Sequence, residues 1–222
     1  MHYQRHGEAT IRKLASMFGA VLVTGARQVG KTTLLSEWGR RLRYVTLDDP
    51  ILLASAVGQP GTFFKDNPPP VIVDEIQYAP NLFPQIKMAV DQGRKKGQFF
   101  LSGSQQFHMM RDIGESLAGR LGILNLPGLS LRERHAVAFA EPFLPTDRYF
   151  SARAKGAPAV SYAEIWETIH RGCMPELCAN ADYDWQMFYA AYVKTYLERD
   201  LRDLTQVADE VKFLQFMTVA AG

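Results

Sequence analysis

Residues 21–35 read VLVTGARQVGKTTLL, and Gly25 to Thr32 inside them have the spacing G-x-x-x-x-G-K-[ST] of a phosphate-binding loop. Gly25 and Gly30 allow backbone torsions and close approaches that a Cβ would block. Lys31 brings a positive charge to β- and γ-phosphates, and the Thr32 hydroxyl is a hard oxygen ligand for Mg²⁺. The stretch Gly25, Ala26, Arg27, Gln28, Val29, Gly30, Lys31, Thr32 and Thr33 is therefore the candidate nucleotide-binding segment. Its flanks fit. Residues 20–23 are an apolar run of buried-strand character, and 32–41 read as a helix. A strand feeding a glycine loop that opens a helix aims several backbone N–H groups and the positive end of the helix dipole at one point. A di- or triphosphate suits that point.

A second cluster of chemistry follows at Val71-Ile-Val-Asp74-Glu75. A wholly apolar strand is buried on both faces, as in a parallel sheet. Acids at its carboxyl end emerge where ligands of open α/β sheets bind. Asp74 is expected to hold Mg²⁺ through water, and Glu75 to orient and deprotonate the water attacking a γ-phosphate. Residues 98–104, QFFLSGS, read as a further strand running into small hydroxyl residues. Ser104 is the first candidate to sense the γ-phosphate and Ser102 the second; the alternative for each is a hydroxyl in a strand-to-helix turn.

The elements that must position these groups can be read around them. Residues 8–18 carry Ile11, Leu14, Ala15 and Phe18 at helical spacing and are expected to add no chemistry of their own. Residues 43–47 form a second strand, stopped by Asp48-Asp49-Pro50, whose aspartates cap a helix over 51–57. Residues 58–70, with Gln-Pro-Gly and Asn-Pro-Pro-Pro, predict a loop with one short helical turn near Phe63-Phe64. A helix over 81–93, a helical region ending at Gly119 and a fifth strand over 121–126 complete the pattern.

Composition sets the class. Hydrophobic residues at 47% and charged residues at 22% are ordinary globular values, and 222 residues suffice for one to two domains. A net charge of +2 gives no electrostatic argument for nucleic acid or a membrane. The first residues are too polar for a secretory signal. Cys173 and Cys178 make no disulfide framework, in keeping with a cytoplasmic setting. With His170 they fit no familiar zinc spacing and are read as unpaired thiols.

Taken together, TGARQVGKTTLL, LDDP, VIVDEIQYAP, FFLSGSQQF, ESLAGR, PGLSLRE, RGCMPEL and YLERDLRDL resemble the AAA+ superfamily ATPases of bacteria and archaea that are usually joined to a C-terminal nuclease-like domain. The resemblance covers nearly the whole chain, departing at Ala26, where common members have proline. It implies an α/β fold: a three-layer αβα P-loop NTPase sandwich with a five-stranded parallel sheet in the order 5-1-4-3-2, followed by a helical segment. It also implies Mg²⁺-dependent ATP hydrolysis coupled to a conformational change, and a homo-oligomer. Arg120, just before the fifth strand, stands where the family places an arginine finger; the alternative is an arginine capping a helix of its own subunit.

The expected division is a nucleotide domain over 1–150, a linker over 151–160 and a helical region over 161–222. In that region Ile165, Trp166 and Ile169 are expected to face inward. Residues 182–207 form a long helix or two with an aromatic stripe read as helix–helix core; Lys194, Arg199 and Arg202 beside it leave a nucleic-acid face as the other reading, and the alternative function is a DNA-associated regulatory module that uses ATP as a switch. Members of the family usually continue further, and the pattern over 213–222 has no stop signal, so the chain is expected to have lost most of a second domain. A GTPase would need an Asn-Lys-x-Asp motif, which is absent, and a small-molecule kinase would have no use for a water-activating Glu75.

Overall fold

Along residues 20–23 successive side chains point to opposite sides of a strand, and both sets are apolar. The segment can be stable only between two apolar layers. A computed structural model of the chain, describing residues 3–104, 116–138, 141, 143–196, 212, 215–216 and 218–219, places it so. Strand β1 (Ala20–Gly25) is the inner strand of a sheet completed by β2 (Arg43–Thr46), β3 (Val71–Asp74), β4 (Phe99–Ser104) and β5 (Leu121–Asn125). The order is β2-β3-β4-β1-β5 and every pairing is parallel. This is the P-loop NTPase sandwich, with the sheet order that the sequence resemblance implies.

The two faces are separate cores. Val21, Val23, Ile72 and Phe100 pack under Ile11 of α1 (Gly7–Met17) and Leu34 and Leu35 of α2 (Lys31–Trp38). Ala20, Leu22, Val71, Val73, Phe99 and Leu101 face the other way. They meet Ala56 of α3 (Pro50–Gly58), Phe63 of α4 (Pro60–Asp66) and Phe83 and Ile86 of α5 (Phe83–Gly93). Helix α3 starts as expected, with the Asp49 carboxylate accepting from the Ile51 and Leu52 N–H groups at 2.8 and 3.3 Å. Helix α4 falls where the short helical turn was expected, near Phe63-Phe64, and extends it over Pro60–Asp66. The proline-rich stretch forms a helix because Pro60 sits in its first turn, where no N–H is needed, and because Phe63 is fully buried.

After β5 come α6 (Leu131–Arg134), α7 (Asp147–Lys155), α8 (Tyr162–Arg171), α9 (Pro175–Ala179) and α10 (Trp185–Tyr196). The first half of the expected linker is thus the end of a capped helix, α7, with Thr146 accepting from the Tyr149 N–H. Contacts divide the chain into one unit over Met1–Ala179 and another over Asn180–Gly222. The second contains α10, whose residues fall within the stretch expected over 182–207; Leu197, Arg199, Leu201, Arg202 and Leu204 lie outside the described residues, as does the expected helical region over 105–115.

Helix α8 brings a correction. Trp166 is 53% and Ile169 64% exposed, and Ile165 is also exposed. The periodicity reports an amphipathic helix correctly, but periodicity does not say which face docks. Here the polar side does: Arg134 Nη1 donates to the buried Thr168 Oγ1 at 2.6 Å. Replacing Ile169 by Gln should therefore shift stability by less than about 0.5 kcal/mol. Leu177→Ala, at a fully buried position in α9, should cost about 2–5 kcal/mol. Urea unfolding of the two variants checks the contrast.

Candidate nucleotide site

The loop between β1 and α2 is shaped by its torsions. Gly25 has φ +146°, Gly30 has φ +90°, and Gln28 between them has φ +60°. At Gly25 a Cβ would lie 2.3 Å from the Leu126 carbonyl oxygen, so only glycine fits there. Helix α2 opens at Lys31 with no side-chain cap on its first turn, which leaves its first N–H groups for an anion. Lys31 is buried, and its Nζ donates to the Gly25 and Ala26 carbonyls at 3.1 and 2.8 Å. Ala26, Gln28 and Thr33 are exposed, Arg27 is half-buried, and Val29 is turned into the core.

Asp74 is the centre of the site. It ends β3 in register with Thr46, is buried, and receives three hydroxyl donors. Thr32 Oγ1 reaches both carboxylate oxygens, at 3.1 and 2.9 Å. Ser102 Oγ donates to Oδ1, and the Tyr44 hydroxyl donates to Oδ2 at 2.7 Å. Burial, and then the bond to Asp74, push the Tyr44 phenol well above its ordinary range, so it stays a donor. A threonine hydroxyl and a carboxylate in contact at the mouth of a phosphate loop are the hard oxygen donors Mg²⁺ takes when phosphates and water complete its shell. The donor set fits the ion. Among the described residues no cluster of three or more His, Cys, Asp or Glu offers a rival metal site.

Glu75 follows in a left-handed conformation, φ 57° and ψ 44°, uncommon for a residue with a side chain. Its carboxylate accepts from the Gln77 amide, whose Nε2 also lies 3.4 Å from Ser104 Oγ. Gln77 Oε1 and Thr24 Oγ1 are buried without partners. Ser104 stands beside Gly25 in the β4–β1 register, while Ser102, the second choice from sequence, is the serine bonded to Asp74.

Arg120 is elsewhere. It precedes β5, whose first residue is in register with Ala20 at the amino end of β1, so about five residues of strand, roughly 17 Å, separate it from Gly25. It makes a two-pronged pair with Asp91 at 2.5 and 2.9 Å and donates to the Ala118 carbonyl at 3.0 Å. This pair holds the Asp91 carboxyl below its usual range.

Residues 18–135, more than half of the chain, match the AAA domain family. The chain belongs to the AAA family. Residues 162–222 match a second family, described only as a domain of unknown function. Two uncharacterized proteins, from Mycobacterium tuberculosis and Mycobacterium bovis, are each 29% identical over 203 residues, 90% of this chain and 40% of theirs. This AAA chain thus spans about two fifths of the length of the curated relatives it matches. Among solved structures it is similar to the Walker-type ATPase of Pyrococcus abyssi, at 15% identity and TM-score 0.49 over 93% of this chain and 75% of that one. It is also similar to AMPPCP-bound DnaA from Aquifex aeolicus, at 14% identity and TM-score 0.46 over 88% and 63%.

Four residues around the candidate site were not singled out from the sequence: Tyr44, Gln77, Arg5 and Glu133. Nothing in the spacing of the first three marks them. Glu133 was visible as the end of Ser130-Leu-Arg-Glu133, the capping-box pattern. Its carboxylate accepts from the Ser130 N–H and Oγ, the His6 N–H and Arg5 Nε. Burial pushes the Glu133 pKa up, but the backbone donors of Ser130 and His6 and the Arg5 guanidinium outweigh it and hold it below its ordinary 4.5. A depressed carboxylate contributes stability above its unfolded pKa that is lost as pH falls through the folded value. Glu133→Gln should therefore be less stable than the parent at pH 7, and the gap should narrow below about pH 4.5. Urea midpoints from pH 7 to pH 3 check both the sign and the window.

Proposed function

We propose that this chain binds Mg²⁺·ATP in the loop 25–33 and hydrolyses it, and that turnover drives a conformational change in the part of the protein that follows the AAA domain. One observation carries the proposal: the Thr32 hydroxyl meets the buried Asp74 carboxylate within 3.1 Å at the mouth of an uncapped helix, with Glu75 one residue further on. When bound, Mg²⁺ supplies charge neutralisation to the β- and γ-phosphoryl oxygens. The rest falls to side chains of this chain.

Lys31 exchanges two loop carbonyls for phosphate oxygens, so its ammonium keeps hydrogen-bond acceptors throughout. Thr32 and Asp74 are the residues that would hold the ion, the first through its hydroxyl oxygen and the second through its carboxylate. Glu75 takes the proton of the attacking water, and its bond to Gln77 fixes the carboxylate's direction. Ser104, buried beside Gly25, answers to the γ-phosphate. Nothing among the described residues favours the DNA-associated alternative: Lys194 is exposed on α10, and its companions Arg199 and Arg202 lie outside those residues.

Lys31→Ala should fold and lose most affinity for Mg²⁺·ATP in calorimetry; wild-type affinity in that variant would sink the proposal. Glu75→Gln keeps the shape and removes the base. It should bind ATP and turn it over about 10²–10⁴-fold more slowly, and turnover within a few-fold of the parent would exclude Glu75 as the base.

Arg120 cannot reach its own loop across the length of β1, so as a finger it acts on a neighbouring subunit, after leaving Asp91. Such an arginine is worth about 10³–10⁵ in rate where it operates. Arg120→Ala and Lys31→Ala proteins should each be nearly inactive, and mixing them should restore ATPase activity, because the loop-dead subunit lends its arginine to an intact site. No rescue in mixtures shown by light scattering to contain oligomers refutes the finger.

A further inference from the structure

Arg5 lies two residues before α1, in a stretch with no sequence motif, yet only 7% of it is exposed. Each of its three guanidinium nitrogens makes a hydrogen bond. Nε donates to Glu133 Oε1 at 3.0 Å, Nη1 to the Val29 carbonyl at 2.6 Å, and Nη2 to the Pro127 carbonyl at 2.7 Å. A buried ion pair is weak evidence for stability, because desolvation offsets most of its attraction. What distinguishes this one is the third party, a carbonyl of the phosphate loop.

In a planar trans peptide the C=O of one residue and the N–H of the next point in opposite directions. Arg5 draws the Val29 carbonyl to itself, so the Gly30 N–H is turned away from Arg5. In a loop that closes on an anion, that is the inward side. Gly30 has the torsions to permit this, φ 90° and ψ 29°. Arg5 Nη1, 3.5 Å from where a Cβ on Gly30 would stand, is the nearest group there. Glu133 is itself held by three donors besides Arg5, so the fork cannot swing.

We propose that Arg5 is a positioning residue for phosphate binding: anchored by Glu133, it pulls back the Val29 carbonyl and so presents the Gly30 N–H to the phosphates. This rests on the assignment of 25–33 as the nucleotide loop. The same guanidinium grips the Pro127 carbonyl next to Leu129, whose N–H donates to the Cys173 carbonyl at 2.7 Å. The loop's donor is thereby tied to the segment after β5, which is itself hydrogen-bonded to Cys173 just ahead of α9.

The test uses the full chain with Mg²⁺·ADP as the probe, which removes hydrolysis from the measurement. Arg5→Lys keeps a charge opposite Glu133 but has no fork to reach Val29 as well. At a temperature well below its melting point it should bind Mg²⁺·ADP about tenfold more weakly than the parent, as expected for losing one charge-assisted donor geometry. The Gly30 amide, followed by NMR hydrogen exchange, should be protected by Mg²⁺·ADP in the parent and lose that protection in the variant. A purely structural role would lower the melting point and leave both readouts unchanged. Affinity within threefold of the parent, or a Gly30 amide that Mg²⁺·ADP fails to protect in the parent, overturns the proposal. Should Arg5→Lys fail to fold, Glu133→Gln, which frees the fork from its anchor, decides by the same two readouts and thresholds. Lys31→Ala runs alongside. If it also binds as the parent does, the loop assignment fails; if it loses binding while Arg5→Lys does not, only the role of Arg5 fails.

Discussion

Because β1 is hydrogen-bonded in parallel to β4 on one side and β5 on the other, the carboxyl ends of these strands and of β3 reach one edge of the sheet. The chemistry can gather only there. Gly25, Asp74 and Ser104 lie far apart in sequence and are neighbours because each ends its strand at that edge. The same constraint sends Arg120, which begins a strand, to the opposite edge. Parallel pairing also demands cover on both faces, and the near-unbroken apolar runs of β1, β3 and β4 answer that demand.

Polar groups buried at such an edge need partners, since a lost hydrogen bond in a dry site costs about 1–3 kcal/mol. Asp74 collects three hydroxyls and Glu133 collects four donors. Two ion pairs show how position changes the worth of similar contacts. Arg5–Glu133 is buried, and removing either partner would strand a charge. Arg120–Asp91 is open to water, which screens the attraction, so it can be exchanged for another partner at little expense.

The parts of the fold carried by local pattern were legible. The spacing of Gly25, Gly30, Lys31 and Thr32, the apolar run ending at Asp74, and the Asp49-Pro50 helix start each encode their structure within a few residues. The sheet order was legible only through the family resemblance. What stayed hidden depends on contacts between distant segments: Arg5 finds Glu133 across 128 residues, and Tyr44 finds Asp74 across 30. Residues 60–66 were legible as a short helical turn near Phe63-Phe64, but not at their full length. Proline is a breaker inside a helix and a starter in its first turn, and composition alone does not say which applies. For α8 the period was right and the docking face wrong, because a helix that packs through Thr168 looks in sequence like one that packs through Trp166.

The three hydroxyls on Asp74 bear on how a cation would enter. A carboxylate already solvated by Thr32, Ser102 and Tyr44 offers a free aqueous divalent ion little: one anionic ligand, in return for shedding part of a tightly held hydration shell and displacing three donors. An ion that arrives already chelated by phosphate oxygens meets a different balance. It brings its own ligands, the loop's N–H groups welcome the anion that carries it, and only the Thr32 hydroxyl need turn. On the proposed function, such a pocket would stay electrically quiet in plain magnesium solution and would take up metal and nucleotide as one parcel.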